Sequence, residues 1–161
     1  MAGETVQGVK EAAKALRQID PELRKEFNAN VRQIAAPIVD AAKASYNDYI
    51  IPSGTRRNWT QRDRKLFPFT AAAARRGVRT KIDTRARSRS SIKVVQSNPA
   101  AAIYEFAGQA TPNALGRAFT YKGRKPARVM WPSAEMNIGK VTDEMKELVK
   151  DVERTIQKEL G

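Results

Sequence analysis

Apolar residues recur along this chain at three- and four-residue steps, first at Val6, Val9, Ala13 and Leu16. That spacing places them on one stripe of a helix, which is predicted to stop near Ile19. Asp20, Pro21 and Glu22 then form a helix start. An Asp side chain accepts from unbonded first-turn amides, and a proline in the first turn loses no donor that the helix needs. A second stripe follows through Leu23, Phe27, Val31, Ile34, Ile38 and Ala41. Pro37 interrupts this pattern and predicts a kink, because its ring displaces the carbonyl four residues back. The second helix is expected to reach about Ser45.

Periodicity then disappears from residue 46 to residue 79, where Ile51-Pro52-Ser53-Gly54 and Pro68 punctuate the chain. Clusters of this kind mark loops, and a loop so long is uncommon in a compact domain unless it has a function. Only residues 71–74, four alanines, suggest a helical turn. Alternation of apolar and polar positions appears next, over residues 91–96 and 101–106, with Ser97-Asn98-Pro99 between them. This reads as an antiparallel hairpin around 91–106, with residues 80–84 as a further strand and residues 127–131 as another edge strand. Residues 107–127 are loop-like, carrying Gly108, Pro112, Gly116, Gly123 and Pro126.

The last stripe is the longest: Val141, Met145, Leu148, Val152 and Ile156. Asp143 and Glu144 fall in its expected first turn and Lys158 in its last, as the helix dipole favours. The predicted fold is therefore α+β. Two N-terminal helices, the second kinked at Pro37, precede a small antiparallel sheet with a hairpin around 91–106, and a C-terminal helix packs on that sheet. One domain over residues 1–161 accommodates all of it.

Composition narrows the chemistry. The chain has 161 residues with no Cys and no His, which removes disulfides, thiolate nucleophiles, imidazole bases and most transition-metal sites. No metal site or cofactor is expected. No segment has the roughly 20 consecutive apolar residues that cross a bilayer, and the N-terminus lacks the layout of a signal peptide. The expectation is a protein made in the cytoplasm with no membrane partner.

Charge divides the chain more sharply than composition does. The formal net charge is +13, yet residues 1–55 are neutral and residues 135–161 sum to −2. Residues 56–93 carry thirteen basic side chains against Asp63 and Asp83. The candidate partner-contacting cations are Arg56, Arg57, Arg62, Arg64, Lys65, Arg75, Arg76, Arg79, Arg85, Arg87 and Arg89, accompanied by Lys81 and Lys93. Guanidinium groups offer fixed forks for carboxylate or phosphate, and Trp59, Phe67 and Phe69 lie among them. An acidic protein surface, a nucleic acid and plain solvation are the three readings of this stretch, in that order. Residues 46–79 are expected to be a long basic loop or arm that orders on assembly.

Catalytic patterns are missing. A phosphate-binding loop would require glycine at position 134 and a hydroxyl residue at position 141, where Ala134 and Val141 stand beside Gly139-Lys140. Asp143, Glu144, Glu147 and Asp151 follow helical spacing beside Lys146 and Lys150, as a solvated ion-paired face does. Glu105 lies among apolar residues with no second acid or base identifiable nearby, so an interface ion pair is expected of it rather than general acid–base work. The chain is not expected to be an enzyme.

The order of these features resembles that of the gene-product-ten-like head–tail joining, or tail-completion, proteins of the neck of long-tailed phages. The resemblance spans about residues 9–160. Tyr104, Glu105, Phe106 and Gly108 stand for the family's tyrosine, apolar stretch and Glu-Phe-Gly motif, with Ala107 intruding before Gly108. Arg128, Val129, Met130, Trp131, Pro132, Ser133 and Ala134 stand for the Arg-Pro-Ala segment that enters the last helix. The resemblance implies a structural protein of the virion head–tail junction, assembled in the cytoplasm of a bacterial host. It implies a homo-oligomeric ring around the DNA exit channel, with connector and tail proteins as neighbours and DNA as a further contact. A stand-alone basic nucleic-acid-binding protein is the alternative.

Overall fold

The computed structural model describes residues 8–48, 60–61, 64–65, 69–83, 92–107 and 127–160. In chain order the elements are α1 (Val9–Ile19), α2 (Pro21–Ser45), β1 (Thr60–Gln61), β2 (Arg64–Lys65), α3 (Ala71–Gly77), β3 (Val78–Ile82), β4 (Ile92–Gln96), α4 (Pro99–Phe106) and α5 (Met130–Leu160). The fold is mixed α+β, with the C-terminal helix packed on the sheet as expected.

Local chemistry accounts for the first two helices. Gly8 precedes α1 with φ 90°, a left-handed conformation that a side chain disfavours. A Cβ there would also meet Val149 Cγ1 at 2.9 Å. Between the helices, Asp20 Oδ1 accepts from the Glu22 amide at 2.8 Å and caps α2. That helix continues through Pro37 to Ser45, the expected end.

The chain divides into two compact units that interleave in sequence. The first comprises Met1–Pro37, Thr80–Val94 and Asn137–Gly161; the second comprises Ile38–Arg79 and Val95–Met136. In the first unit, Val9, Ala12, Ala13 and Leu16 of α1, Phe27 and Val31 of α2, and Met145, Val149 and Val152 of α5 form one buried cluster. Ile82 of β3 and Ile92 of β4 pack against it, which is how the sheet meets the last helix. Burial of each large apolar side chain contributes roughly 1.5–3 kcal/mol. Within the second unit, Ile38, Val39, Ala42 and Tyr46 of α2 and the following turn are buried, together with Ala71, Ala74, Ala100, Ala101 and Tyr104.

β1 and β2 pair antiparallel, Thr60 with Lys65 and Gln61 with Arg64. β3 pairs with β4. The Ser97 amide donates to the Gly77 carbonyl at 3.0 Å at one end, and Lys93 Nζ lies 3.9 Å from Asp83 Oδ2 at the other. The two strands therefore run in opposite directions.

Three expectations are corrected. Residues 101–106 are not the second strand of a hairpin but part of α4. Asn98 caps that helix, accepting from the Ala101 amide at 2.9 Å, and Pro99 occupies the first turn. What reads as a turn is thus a helix start. Its buried positions, Ala100, Ala101, Tyr104 and Glu105, follow a helical period and not alternation. The partner of β4 is instead β3, the segment read as an additional strand. Second, residues 127–131 form no edge strand, because α5 begins at Met130. Pro132 is compatible with this, since first-turn amides have no helical acceptor to lose. With eleven more residues at its N-terminal end than the stripe from Val141 suggests, α5 has no acidic residue in its first turn. Asp143 and Glu144 lie well inside it. Third, residues 71–79 of the expected basic loop are helix and strand within the single chain. The helical turn expected at residues 71–74 extends to Gly77, capped by Thr70 Oγ1 at 3.2 Å from the Ala73 amide.

Candidate functional site

The two stretches that carry the family resemblance meet in the second unit. Glu105 is buried at 1% exposure in the last turn of α4. Its Oε1 accepts from the Tyr46 hydroxyl at 2.5 Å. Its Oε2 accepts from three successive backbone amides, Arg128 at 2.7 Å, Val129 at 3.0 Å and Met130 at 3.4 Å. Those amides open α5, where residues 127–129 supply no Ser, Thr, Asp or Asn to cap locally. Glu105 therefore caps the last helix from 23 residues upstream, satisfying donors that every helix start leaves free and placing its carboxylate at the positive end of the dipole.

Arg128 performs the reciprocal task. Its Nη1 donates to the carbonyls of Tyr104 and Glu105, the latter at 3.2 Å, and its Nη2 donates to the Ala107 carbonyl at 2.7 Å. These are acceptors at the C-terminal end of α4, which a cation satisfies well. The guanidinium carbon also lies 5.6 Å from the centre of the Tyr104 ring, within cation–π range. Each helix end is thus closed by a side chain from the other stretch.

Supporting contacts fix the partners. Arg75 Nε donates to the Tyr46 carbonyl at 2.9 Å, and the Ala71 amide donates to Asp48 Oδ1 at 3.0 Å. Gln96 bridges α3 and the start of α4, donating to the Ala74 carbonyl at 3.0 Å and accepting from the Asn98 amide at 2.8 Å. The Phe69 and Tyr104 rings are 6.4 Å apart and tilted.

Burial raises the Tyr46 phenol far above its ordinary range, reinforced by its hydrogen bond to Glu105 and that residue's charge. Burial also raises Tyr104, against the pull of Arg128. It lowers the Arg128 guanidinium, opposed by Tyr104 and Glu105. Both carboxylate oxygens of Glu105 are occupied by internal donors. The expectation of an interface ion pair at Glu105 is therefore corrected: its partners lie inside the fold.

The remaining predicted residues are distributed differently. Phe106 and Trp131 are 61% and 37% exposed, whereas the motif's Tyr104 and Glu105 are buried. Pro132 is half-buried in the first turn of α5. Gly108 lies outside the described residues. Arg75, Arg76 and Arg79 are exposed. Arg64 and Lys65 form β2, and Arg56, Arg57, Arg62, Arg85, Arg87 and Arg89 lie outside the described residues. The structure does not gather these cations into one described cluster.

Tyr46 is legible in the sequence only as the next step of the α2 stripe, since Ile38, Val39, Ala42 and Tyr46 are all buried. Arg128 has a weaker signal, a lone cation between the buried Ala127 and Val129. Among the described residues, no group of three or more acidic side chains is placed to hold a metal ion, and no helix is long and apolar enough to cross a membrane. No protein-family model matches the chain, and no curated protein or solved structure matches it.

Proposed function

We propose that this chain is a structural protein of the head–tail junction of a long-tailed phage, acting as a ring subunit around the DNA exit channel, with connector and tail proteins as neighbours. One observation carries the reading. The two short motifs behind the resemblance, whose Glu105 and Arg128 lie 23 positions apart, converge on one device in which Glu105 closes the start of α5 and Arg128 closes the end of α4. That the two motifs share one structural duty supports the reading.

The reading is tested by imaging virions that carry a label on this chain. Label at the head–tail junction is expected; label along the tail shaft, or particles without label, overturns it. A stand-alone nucleic-acid role instead predicts duplex binding that weakens steeply with added salt, measurable by filter retention of the purified chain.

A further inference from the structure

In the second unit, α3 runs into β3 with no intervening loop. Ala71, Ala74 and Gly77 are buried, as is Val78 at the start of the strand. Ala72, Arg75, Arg76 and Arg79 are exposed. The candidate cations do not form one cluster, yet these three arginines stand within five residues, at the end of a helix otherwise built of alanine and glycine.

Arg75 is anchored by the fold. Its Nε donates to the Tyr46 carbonyl at 2.9 Å, which leaves the two Nη groups of the fork for a ligand. Among the described residues, Arg76 and Arg79 take part in no side-chain hydrogen bond or ion pair. Local compensation is missing too, since no Asp or Glu occurs from residue 64 to residue 82. The last helix shows the contrast: Lys146, Lys150 and Arg154 each pair with a carboxylate three residues away, as a solvated helix face does. The helix dipole favours Arg75 and Arg76 in the last turn of α3, but Arg79 belongs to the strand and only adds like charge beside them.

We infer that Arg75, Arg76 and Arg79 form a contact for the phosphate backbone of duplex DNA, made without reading base sequence. Phosphate contacts need cations and close approach rather than an apolar anchor, and short alanine side chains give that approach. A protein partner draws its affinity from buried aromatic or aliphatic anchors, while charges at the rim add little. Among the described residues the exposed large apolar side chains, Phe106, Trp131, Met136 and Ile138, belong to α4 and α5, and α3 offers none. The inference deepens the ring reading by naming the residues of the subunit that touch DNA, and its assignment to the DNA of the exit channel rests on that reading.

The test measures binding of the full chain to a fluorescently labelled, mixed-sequence duplex by anisotropy over a series of salt concentrations. The logarithm of the affinity is expected to fall linearly with the logarithm of the salt concentration. Arg76→Gln with Arg79→Gln removes two phosphate contacts, so the slope should shrink by about 1.8, and the affinity change between about 50 and about 200 mM salt should be roughly tenfold smaller. Arg75 is left in place because it also holds the Tyr46 carbonyl. Arg76→Lys with Arg79→Lys keeps both charges and should keep the wild-type slope. Lys146→Gln with Lys150→Gln removes the same net charge from ion-paired positions and should keep that slope as well. Far-ultraviolet circular dichroism is expected to match wild type in all three variants.

A wild-type slope in the glutamine variant of the arginines overturns the inference. An equal loss in the Lys146 and Lys150 variant also overturns it, since binding then follows net charge alone. Absence of duplex binding at near-physiological salt, with arginine-dependent binding of polyglutamate in its place, overturns it too and gives the arginines to an acidic protein. Virion labelling decides the ring reading separately. Label at the junction with arginine-independent duplex binding leaves that reading standing and removes this contact, whereas arginine-dependent duplex binding by a chain absent from virions leaves the contact standing and removes the reading.

Discussion

Replacing Glu105 with Ala removes the acceptor for Tyr46 and for the opening amides of α5. The Tyr46 hydroxyl and the Val129 amide are in buried contacts, whereas the Met130 bond is long at 3.4 Å. A buried donor without an acceptor costs about 1–3 kcal/mol. Two such donors, partly relieved by water entering the void, give a loss of about 3 kcal/mol. For a chain of this size that corresponds to a Tm fall of roughly 6–12 °C. Glu105→Gln keeps one acceptor oxygen for the α5 amides and turns its amide group to Tyr46, whose hydroxyl can accept, so with the charge lost about 1–2 kcal/mol is expected. Phe106→Ala, one residue along and exposed, is the control and should stay within about 0.5 kcal/mol. The assay is urea unfolding followed by far-ultraviolet circular dichroism. A double-mutant cycle with Tyr46→Phe should show coupling of at least about 1 kcal/mol. If Glu105→Ala and Phe106→Ala prove equally mild, Glu105 does not join the two helix ends and the reasoning fails.

Arg128→Lys keeps the charge but not the fork that reaches carbonyls at Glu105 and Ala107; a loss of about 1–2 kcal/mol in the same unfolding assay is expected, and a neutral result would remove its capping role. Glycines at 77 and 139 should respond with opposite signs. A Cβ at Gly77 would lie 1.9 Å from Gln96 Oε1 and 2.8 Å from the Asn98 amide nitrogen, so Gly77→Ala should destabilise by about 1–3 kcal/mol. Gly139 has open space around its Cβ position inside α5, so Gly139→Ala should stabilise by about 0.5–1 kcal/mol. Alkaline titration provides a further check. The Tyr46 phenol is raised above its ordinary value of 10.0, so the folded state keeps a proton that the unfolded state releases. Its stabilising contribution is present below that value and is lost as pH rises beyond it. Tyr46→Phe should flatten this alkaline fall in Tm, and an unchanged slope would contradict the burial assigned to the phenol.

Periodic spacing makes the helices legible in the sequence itself. The stripe Val9, Ala13 and Leu16, the start at Asp20-Pro21 and the end at Ser45 all follow from side-chain spacing and capping chemistry, which act within a few residues. The segment 97–106 reads as a hairpin because its apolar alanines fit two periods, and Asn98 and Pro99 belong to turns and helix starts alike. The long reach of α5 to Met130 is hidden for a different reason, since its N-terminal cap is supplied from another part of the chain.

The sequence alone determined the α+β composition, the placement of charge in residues 56–93, and the absence of thiol and imidazole chemistry in this chain. Those properties are sums over residues or patterns within one helical turn. Only the tertiary structure decided that β3 pairs with β4, that residues 101–106 are helical, and that Tyr46, Glu105 and Arg128 form one hydrogen-bonded network. The physical reason lies in the acceptors and donors at helix ends. They must be satisfied, but no local pattern states which distant side chain will satisfy them. Folding settles that by bringing a carboxylate and a guanidinium, 23 positions apart, to each other's helix terminus.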